Sequence, residues 1–258
     1  MSQGLGLEGR RVLITGGSRG IGAACARRFA DAGAAVLVQY RDHAEAAERL
    51  LSELPAPAEL GHLAWGVDLS KPEEIPGLFD FVRERWGGLD VLVNNAGIWV
   101  EGSLATLDGA QLGEHLAATL ALNLAAPFLL VREALPLFVD SPDPSIVNVS
   151  STAGQRGESH YSAYASSKGA LIAATKSWAV ELAPRVRVNA VAPGWVTTDM
   201  TAEALAGEEA AKAAAGIPLG RIAKADDIAG PILFLASSLA RHVTGEVLNV
   251  NGGSVLCG

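Results

Sequence analysis

Residues 11–22 read RVLITGGSRGIG: a short apolar run gives way to a glycine-rich turn. The run predicts a buried strand, and the residues after Gly20 have helical spacing. In a turn of this kind Gly16 allows a sharp bend, Gly20 lets the backbone approach a phosphate, and Gly22 lets the helix pack closely on the sheet. The stretch therefore predicts the first strand–turn–helix unit of a dinucleotide-binding domain, although an ordinary strand-to-helix turn also fits these glycines.

Beyond this unit, short β-branched runs alternate with longer, alanine-rich stretches of helical spacing. The expected strands are Arg11–Thr15, Ala35–Tyr40, His62–Asp68, Val91–Asn94, Ser145–Ser150, Arg187–Ala192 and Glu246–Val250. The expected helices are Ile21–Ala32, Ala44–Leu54, Pro72–Trp86, Gln111–Phe138, Ala163–Ala183 and Asp226–Ser237. Several strands are apolar throughout, which is typical of parallel strands that are buried on both faces.

This alternation predicts an α/β fold with right-handed crossovers. We expect a Rossmann-type, doubly wound parallel sheet of about seven strands with helices on both faces, in a single domain over residues 1–258. The range 200–217, rich in Ala and Glu, lies outside the expected sheet. An insertion at the carboxyl edge of such a sheet predicts a substrate lid.

Composition excludes several classes of protein. With 20 Lys and Arg against 28 Asp and Glu, the net charge is −8, which argues against a nucleic-acid binder. We expect no membrane span, because no apolar run approaches the ~20 residues that a bilayer requires. The two cysteines, Cys25 and Cys257, favour a reducing compartment, so the expected location is cytoplasmic. The five histidines lack the spacing of metal ligands, and no metal site is predicted.

A second string, Tyr164-Ala165-Ser166-Ser167-Lys168, places a phenol and an ammonium on one face of a predicted helix. A neighbouring positive charge favours the phenolate, so this pair predicts a tyrosine that exchanges protons near neutral pH. Together with a dinucleotide site, it predicts hydride transfer to or from a carbonyl. The simpler interpretation is an exposed helical pair of polar residues.

The end of the second strand bears on which nucleotide binds. An NAD site favours a carboxylate there for the ribose diol, whereas an NADP site favours a cation for the 2′-phosphate. Here the residues are Gln39, Tyr40 and Arg41, and Arg19 adds a second cation in the glycine turn. These residues favour NADP(H) over NAD(H). Alternatively, Arg41 is a solvated surface charge and Arg19 only stacks on adenine.

These motifs, in this order, resemble the short-chain dehydrogenase/reductase family over nearly the whole chain. The family's glycine motif is matched by residues 15–22, its Asn-Asn-Ala-Gly motif by residues 94–97 and its Pro-Gly motif by residues 193–194. The resemblance implies the catalytic set Asn123, Ser151, Tyr164 and Lys168. It also implies cofactor contacts from Gly16, Ser18, Arg19, Gly20, Ile21, Tyr40, Arg41, Asp68, Leu69, Asn95, Ala96, Gly97, Tyr164, Lys168, Pro193, Gly194, Val196 and Thr198.

Two members of the catalytic set have simpler interpretations. Ser151 fits a cap or turn residue, and Asn123 fits a polar side chain that satisfies helix backbone. Substrate-facing candidates flank the catalytic motifs in sequence and are Ser151, Trp99, Ala153, Gln155, Tyr161, Trp195 and Met200. The tryptophans suggest an apolar or ring-bearing substrate, but packing in the core explains them equally well.

The resemblance extends to members like 3-oxoacyl-carrier-protein reductases and like glucose dehydrogenases. It implies an NADP(H)-dependent ketoreductase that interconverts a small-molecule carbonyl and a secondary alcohol, assembled as a homotetramer or homodimer. Two alternatives remain open at this point: an NAD-linked alcohol dehydrogenase that works oxidatively, and a regulator that senses the nucleotide without turnover.

Overall fold

Seven parallel strands form one sheet in the computed structural model, which describes residues 4–57 and 59–257. They are β1 (Arg11–Ile14), β2 (Ala35–Tyr40), β3 (Leu63–Gly66), β4 (Val91–Asn94), β5 (Ser145–Val149), β6 (Arg187–Pro193) and β9 (Val247–Val250). Their order is β3-β2-β1-β4-β5-β6-β9, and a separate short pair joins β7 (Val196–Thr197) to β8 (Ala223–Lys224). The order reverses between β1 and β4, which creates the crevice where ligands of such sheets bind.

Helices cover both faces of the sheet. They are α1 (Gly20–Asp31), α2 (Ala44–Glu53), α3 (Ile75–Trp86), α4 (Gly109–Leu120), α5 (Ala126–Ala134), α6 (Ala153–Arg156), α7 (Ser162–Glu181), α8 (Glu208–Ala215) and α9 (Ala225–Ala236). Single 3₁₀ turns lie at Pro72–Glu74, Leu135–Phe138, Asp199–Thr201 and Ser238–Ala240. The predicted fold class is therefore confirmed, with an α/β sheet of seven parallel strands between two helical layers.

Two apolar cores lie on the two faces of the sheet. Successive side chains of a strand point to opposite faces, so Val12 and Ile14 pack with Phe29 of α1 in one core, while Leu13 packs with Phe79 of α3 in the other. These side chains are fully buried. Each contributes about 1.5–3 kcal/mol relative to an exposed position, which holds β1 rigidly between the two helical layers.

The predicted helix Gln111–Phe138 is not continuous. A π turn at Ala121–Ala125 separates α4 from α5, and the last turn, Leu135–Phe138, is a 3₁₀ helix. Such turns of five-residue spacing occur often at functional sites. Here the wide turn carries Asn123, which is fully buried.

The sequence analysis expected no apolar segment long enough to cross a membrane. Judged only by length and composition, one described helical stretch does meet that criterion. The helical stretch Gly109–Phe138 has a mean hydropathy of 1.5, and 33% of its most apolar window is buried. In the structure it belongs to the helical layer over the sheet, where α5 packs against α3 and β4.

The end of the third strand also differs from the sequence-based expectation. The third strand ends at Gly66 rather than Asp68, because the Asp68 carboxylate accepts hydrogen bonds from the backbone and hydroxyl of Ser70 and turns the chain. In the 200–217 range the structure has the end of one 3₁₀ turn and the helix α8, and neither belongs to the seven-stranded sheet.

Candidate active site

The glycine turn after β1 is packed too tightly for side chains. Gly16 has a φ of +60°, and a Cβ there would lie 3.0 Å from the Cα of Ala96. A Cβ on Gly22 would lie only 2.3 Å from the carbonyl oxygen of Gly16. The first turn of α1 therefore packs directly on the turn that precedes it, and Gly20 and Ile21 at the N-terminus of this helix line the cavity above β1.

Hydrogen bonds between Thr15, which follows β1, and Asn95, which follows the neighbouring strand β4, stabilise this turn. The Thr15 hydroxyl accepts hydrogen bonds from the backbone N–H groups of Asn95 (2.9 Å) and Ala96 (3.0 Å). The Asn95 amide donates to the carbonyls of Thr15 (2.8 Å) and Gly16 (3.1 Å). Asn95 lines the cavity, as predicted for a cofactor contact, but its side-chain donors are spent on holding the glycine turn.

Gln39 has a role in the site that the sequence analysis did not assign to it. Its side chain is 2% exposed at the end of β2. The Gln39 Oε1 accepts from the backbone N–H of Gly16 (2.9 Å), and its Nε2 donates to the carbonyls of Tyr40 and Val67 (2.8 Å each). It therefore links three cavity-lining segments, and the only available signal was a polar residue inside an otherwise apolar strand.

The two predicted phosphate-binding cations stand at the rim of this cavity. Arg19 precedes α1, and Arg41 follows β2; both are exposed. The Arg41 Nε lies 2.6 Å from the Asp42 carboxylate, and an Arg19 guanidinium nitrogen lies 3.5 Å from that of Asp199. Within the described chain, no side chain caps the N-terminus of α1. A negatively charged group in the cavity would find two guanidinium groups and uncapped helix N–H groups.

Asp68 lies at the opposite wall, after β3. Hydrogen bonds from Ser70 are the main reason that the pKa of this carboxyl is below its ordinary value. Asp68 is therefore ionised near neutral pH and is an acceptor for an N–H donor in the cavity.

All of these segments border one cavity of about 320 Å³ that runs from the glycine turn across the carboxyl ends of β1, β4 and β5 to β6. Every residue predicted to contact the cofactor lines it: Gly16, Ser18, Arg19, Gly20, Ile21, Tyr40, Arg41, Asp68, Leu69, Asn95, Ala96, Gly97, Tyr164, Lys168, Pro193, Gly194, Val196 and Thr198. It is also lined by residues that were not predicted, among them Gln39, Asp42, His43, Ile98 and Asp199. The cavity has glycine backbone without side chains at one end and the two cations, Arg19 and Arg41, at its rim. This arrangement fits a phosphorylated dinucleotide.

Asn123 is placed behind the cavity, not in its lining. Its Oδ1 accepts from the backbone N–H of Ile98 (2.8 Å), and its Nδ2 donates to the carbonyl of Ile98 (2.9 Å) and to the Ser167 hydroxyl (3.1 Å). The structure therefore supports the simpler interpretation of this residue in part, because the side chain satisfies backbone. That backbone belongs to the segment after β4, and Ser167 precedes Lys168, so Asn123 ties two walls of the site together.

Tyr164 and Ser151 meet at the inner end of the cavity. Burial raises the pKa of the Tyr164 phenol, and the hydrogen bond with Ser151 lowers it by less. The Ser151 hydroxyl also accepts from the backbone N–H of Ala153 (3.1 Å), which is the turn role considered for this residue. Gly154 brings α6 onto α7, since a Cβ there would lie 2.6 Å from the carbonyl carbon of Lys168.

Lys168 is 4% exposed and sits 5.8 Å from the centroid of the Tyr164 ring. Its Nζ donates to the carbonyl of Val149 (2.8 Å). Burial lowers the pKa of Lys168 to about 8. The expectation of a lowered pKa for Tyr164 is wrong here, because burial is the main influence on this phenol and raises its pKa, so the phenol is neutral near neutral pH.

The substrate-facing candidates divide into two groups. Ser151 and Met200 line the cavity. Five others do not: Ala153 is buried at 4% exposure, Gln155 donates to Asn249 (2.7 Å), and Trp99, Tyr161 and Trp195 form a half-buried cluster of their own. The placement of Ala153 and Gln155 therefore corrects the sequence-based expectation, because both side chains are engaged inside the fold.

Comparison with known proteins is consistent with this geometry. A family model described as enoyl-(acyl carrier protein) reductase matches residues 16–254. The chain is 37% identical over 253 residues to the 3-oxoacyl-[acyl-carrier-protein] reductase FabG of Thermotoga maritima, covering 97% of this chain and 99% of that protein. It is 38% identical over 255 residues to 3beta-hydroxysteroid dehydrogenase 1 of Eggerthella lenta, covering 97% and 95% of the two chains.

A solved structure has the same fold. The crystal structure of a short chain dehydrogenase from Burkholderia cenocepacia in complex with NADP superposes with a TM-score of 0.87 at 36% identity, covering 96% of this chain and 98% of that one. The matches span almost the full length of both partners in each case. The chain therefore belongs to the short-chain dehydrogenase/reductase family, the oxidoreductases that act on CH–OH or carbonyl groups with NAD(P).

Proposed function

We propose that the protein is an NADP(H)-dependent oxidoreductase that interconverts a carbonyl and a secondary alcohol, with Tyr164 as the acid/base. The observation that carries the proposal is the position of Ser151, Tyr164 and Lys168 in the wall of the same cavity that begins at the glycine turn. A proton donor, a hydroxyl for the substrate oxygen and a buried amine are the groups that carbonyl reduction requires.

In this mechanism the bound nicotinamide supplies the hydride. Tyr164, neutral because its pKa is raised, donates its proton to the carbonyl oxygen as negative charge develops there. Ser151 supplies a second hydrogen bond to the same oxygen. Lys168 supplies the proton that restores Tyr164, and Asn123 holds the Ile98 segment and Ser167 so that these groups stay in position.

The proposed preference for NADP(H) over NAD(H) rests on Arg19 and Arg41. No carboxylate stands at the end of β2 until Asp42, which pairs with Arg41. The matching variants are Arg19→Ala and Arg41→Ala. We expect each to raise the KM for NADPH about tenfold and to change the KM for NADH less than about twofold, since a charge-assisted phosphate contact is lost in one case only. Equal changes for both nucleotides would remove the basis of this preference.

The range 200–217 is proposed as the substrate lid. It begins at Met200, which lines the cavity and is 49% exposed, and it includes Thr201, whose hydroxyl donates to the Val196 carbonyl (2.5 Å). The lid is therefore attached at the cavity and extends away from it to α8, which has no fully buried residue.

Assembly as a homodimer or homotetramer, in the cytoplasm, completes the proposal. A groove on the outer face of α4 and α5 is lined entirely by apolar side chains, namely Leu120, Leu124, Ala125, Phe128 and Leu129. Val180 of α7 is 82% exposed. Cys25 and Cys257 are both free thiols, which suits a reducing compartment.

The decisive experiment compares wild-type protein with Tyr164→Phe on small ketones and NADPH. We expect the variant to lose at least about 1,000-fold in kcat while its Kd for NADPH stays within about threefold, because only the proton donor is removed. Retention of a tenth of the activity would contradict the role of Tyr164. Nucleotide binding without turnover of any ketone or alcohol by the wild type would instead favour the regulator, and faster turnover with NAD(H) would favour the NAD-linked dehydrogenase.

A further inference from the structure

Three aromatic side chains cluster on segments that adjoin the cavity lining in sequence. The rings of Trp99 and Tyr161 stack with centroids 4.3 Å apart and planes 7° apart, and Trp195 meets Trp99 edge-on at 5.9 Å. All three are half-buried rather than enclosed in either apolar core. We call them the aromatic platform.

The platform is attached to the catalytic elements at three points. Trp99 follows Ile98, whose backbone is held by Asn123, and Trp195 lies between two cavity-lining residues. Tyr161 is one helical turn before Tyr164, and a bridge between Gly102 and Tyr161 joins the two segments. The rings are thus placed by the same backbone that places the proton donor.

Carboxylates surround this platform. Glu101, Glu158 and Glu203 all lie close enough to add to the rise in the pKa of the Tyr161 phenol that burial causes. Glu158 pairs with Arg156 at 2.5 Å, whereas within the described residues neither Glu101 nor Glu203 forms an ion pair. Both are exposed. We call these three residues the acidic rim.

The nearby cations offset only part of this charge. Arg156 is already engaged by Glu158, and Arg19 lies on the cofactor side, facing Asp199 at the start of the proposed lid. With a net charge of −8 for the whole chain, the approach to the platform is electronegative. An acidic carrier protein or a carboxylate-bearing substrate meets like charge there, which lowers the rate of productive encounter.

We propose that the substrate of this site is an uncharged, ring-bearing ketone or secondary alcohol whose ring lies on the aromatic platform, and that the acidic rim disfavours anionic and carrier-bound acyl substrates. This inference rests on the proposed function of the same site. Flat or alicyclic rings gain contact area and favourable ring-face geometry on stacked indole and phenol rings, which a flexible acyl chain does not match.

The test measures kcat and KM with saturating NADPH for four substrates: 2-tetralone, a ring-carboxylated tetralone, ethyl acetoacetate and an acetoacetyl carrier protein. For the wild type we expect kcat/KM for 2-tetralone to exceed that for the carboxylated ketone and for the carrier-bound ester by at least about tenfold. The variant Trp99→Leu is expected to raise the KM for 2-tetralone about tenfold and that for ethyl acetoacetate less than about threefold.

Further variants test the acidic rim and control for the effect of losing an aromatic ring. Glu101→Gln combined with Glu203→Gln is expected to raise kcat/KM for the carboxylated ketone about threefold at low salt, with little change for 2-tetralone. Trp65→Leu is the matched control, since Trp65 stacks on Phe81 (4.4 Å) near β3, and it should leave the ratio between the ring ketone and the acyclic ester unchanged. Trp99→Phe retains a ring and should keep most of the preference even if Trp99→Leu folds poorly.

The inference is overturned if the carrier-bound ester is the better substrate of the wild type, or if Trp99→Leu affects the ring ketone and the acyclic ester equally. It is also overturned if ethyl acetoacetate is reduced and 2-tetralone is not, a result that leaves the proposed function intact. If NADPH binds and none of the four substrates is reduced, the proposed function itself fails and this inference fails with it.

Discussion

Lys168 shows how burial alone changes the chemistry of a residue that the sequence had already identified. In water its ammonium would stay charged throughout the neutral range, but in the site its pKa falls to about 8. The same burial raises the pKa of Tyr164, so at neutral pH the phenol is neutral while Lys168 still carries its proton but gives it up more readily. A neutral phenol is the form that donates a proton to a carbonyl, and the residue pair is therefore suited to reduction.

The lowered pKa of Lys168 predicts a pH profile. At saturating NADPH, we expect kcat/KM for ketone reduction to be level from pH 6 to about 8 and then to fall up to tenfold per unit, because Lys168 loses the proton that it passes to Tyr164. A steady-state profile between pH 6 and 10 tests this. In Lys168→Met the residual activity should lack this limb, and a wild-type rate that rises through pH 8 would contradict it.

The same shift has a consequence for stability. The folded pKa of Lys168, about 8, lies below the ordinary value of 10.5. Between these values the unfolded chain binds more protons, so the contribution of Lys168 to the free energy of unfolding rises with pH over this window and is lost as pH falls through about 8.

The contacts of Asn123 predict that its replacement costs more free energy of unfolding than replacement of Thr119, a buried polar residue close to it. Replacing Asn123 by Leu leaves the N–H and carbonyl of Ile98 without partners and should lower the free energy of unfolding by about 2–4 kcal/mol. Thr119, one turn earlier and 1% exposed, has a hydroxyl without a hydrogen-bond partner among the described residues. Thr119→Val should therefore be neutral or stabilising by up to about 1 kcal/mol in the same denaturant titrations. Equal losses for the two variants would contradict the backbone-holding role of Asn123.

Helix α1 illustrates how a local motif gains meaning from its contacts. Its first turn packs on the Gly16 carbonyl because Gly22 has no side chain. The same short distance positions the uncapped N–H groups of the helix at the cavity, so close packing and anion binding have a common cause.

Gly22→Ala tests this coupling. We expect the added methyl group to push α1 away from the turn, to destabilise the protein by about 1–3 kcal/mol and to weaken NADPH binding about tenfold. The control is Gly113→Ala in α4, where a Cβ meets nothing within 4 Å and should stabilise by about 0.5–1 kcal/mol. Thermal unfolding and fluorescence titration with NADPH measure both effects; unchanged affinity in Gly22→Ala would contradict the argument.

The long helix after β4 shows what periodicity does not reveal. Apolar spacing indicates one helix from residue 111 to 138, and the π turn at Ala121–Ala125 leaves almost no trace in that spacing because every residue around Asn123 is apolar. Within this turn the Asn123 amide bonds to Ile98 and Ser167, which are distant in sequence. A local pattern contains no information about such partners.

Among the described residues, the groove on α4 and α5 is an apolar surface that the fold leaves uncovered. Phe128, at 47% exposure, lines the groove on α4 and α5 and packs edge-on with Trp178 (4.7 Å) of α7, the helix that also carries the exposed Val180. Contiguous apolar surface of this kind marks association between chains in soluble proteins.

We therefore expect the wild type to have a molar mass two or four times that of the 258-residue chain in light scattering after gel filtration. The double variant Phe128→Asp with Val180→Asp should shift the protein to the monomer, since each charge would have to be buried in the interface. Val139→Asp, at a position 63% exposed beyond the end of α5, is the control and should keep the wild-type mass. A monomeric wild type would contradict the proposed assembly.

Sequence alone was sufficient for the alternation of strands and helices, the glycine turn, the pair Tyr164 and Lys168 and the family, because each depends on residues that are close along the chain or on motifs in a set order. The pKa values, the Asn123 contacts, the role of Gln39 and the aromatic platform were decided only in three dimensions. They depend on burial and on partners such as Ile98 and Ser167 that lie on different elements, and the free energy of these contacts exists only after the sheet has brought those elements together.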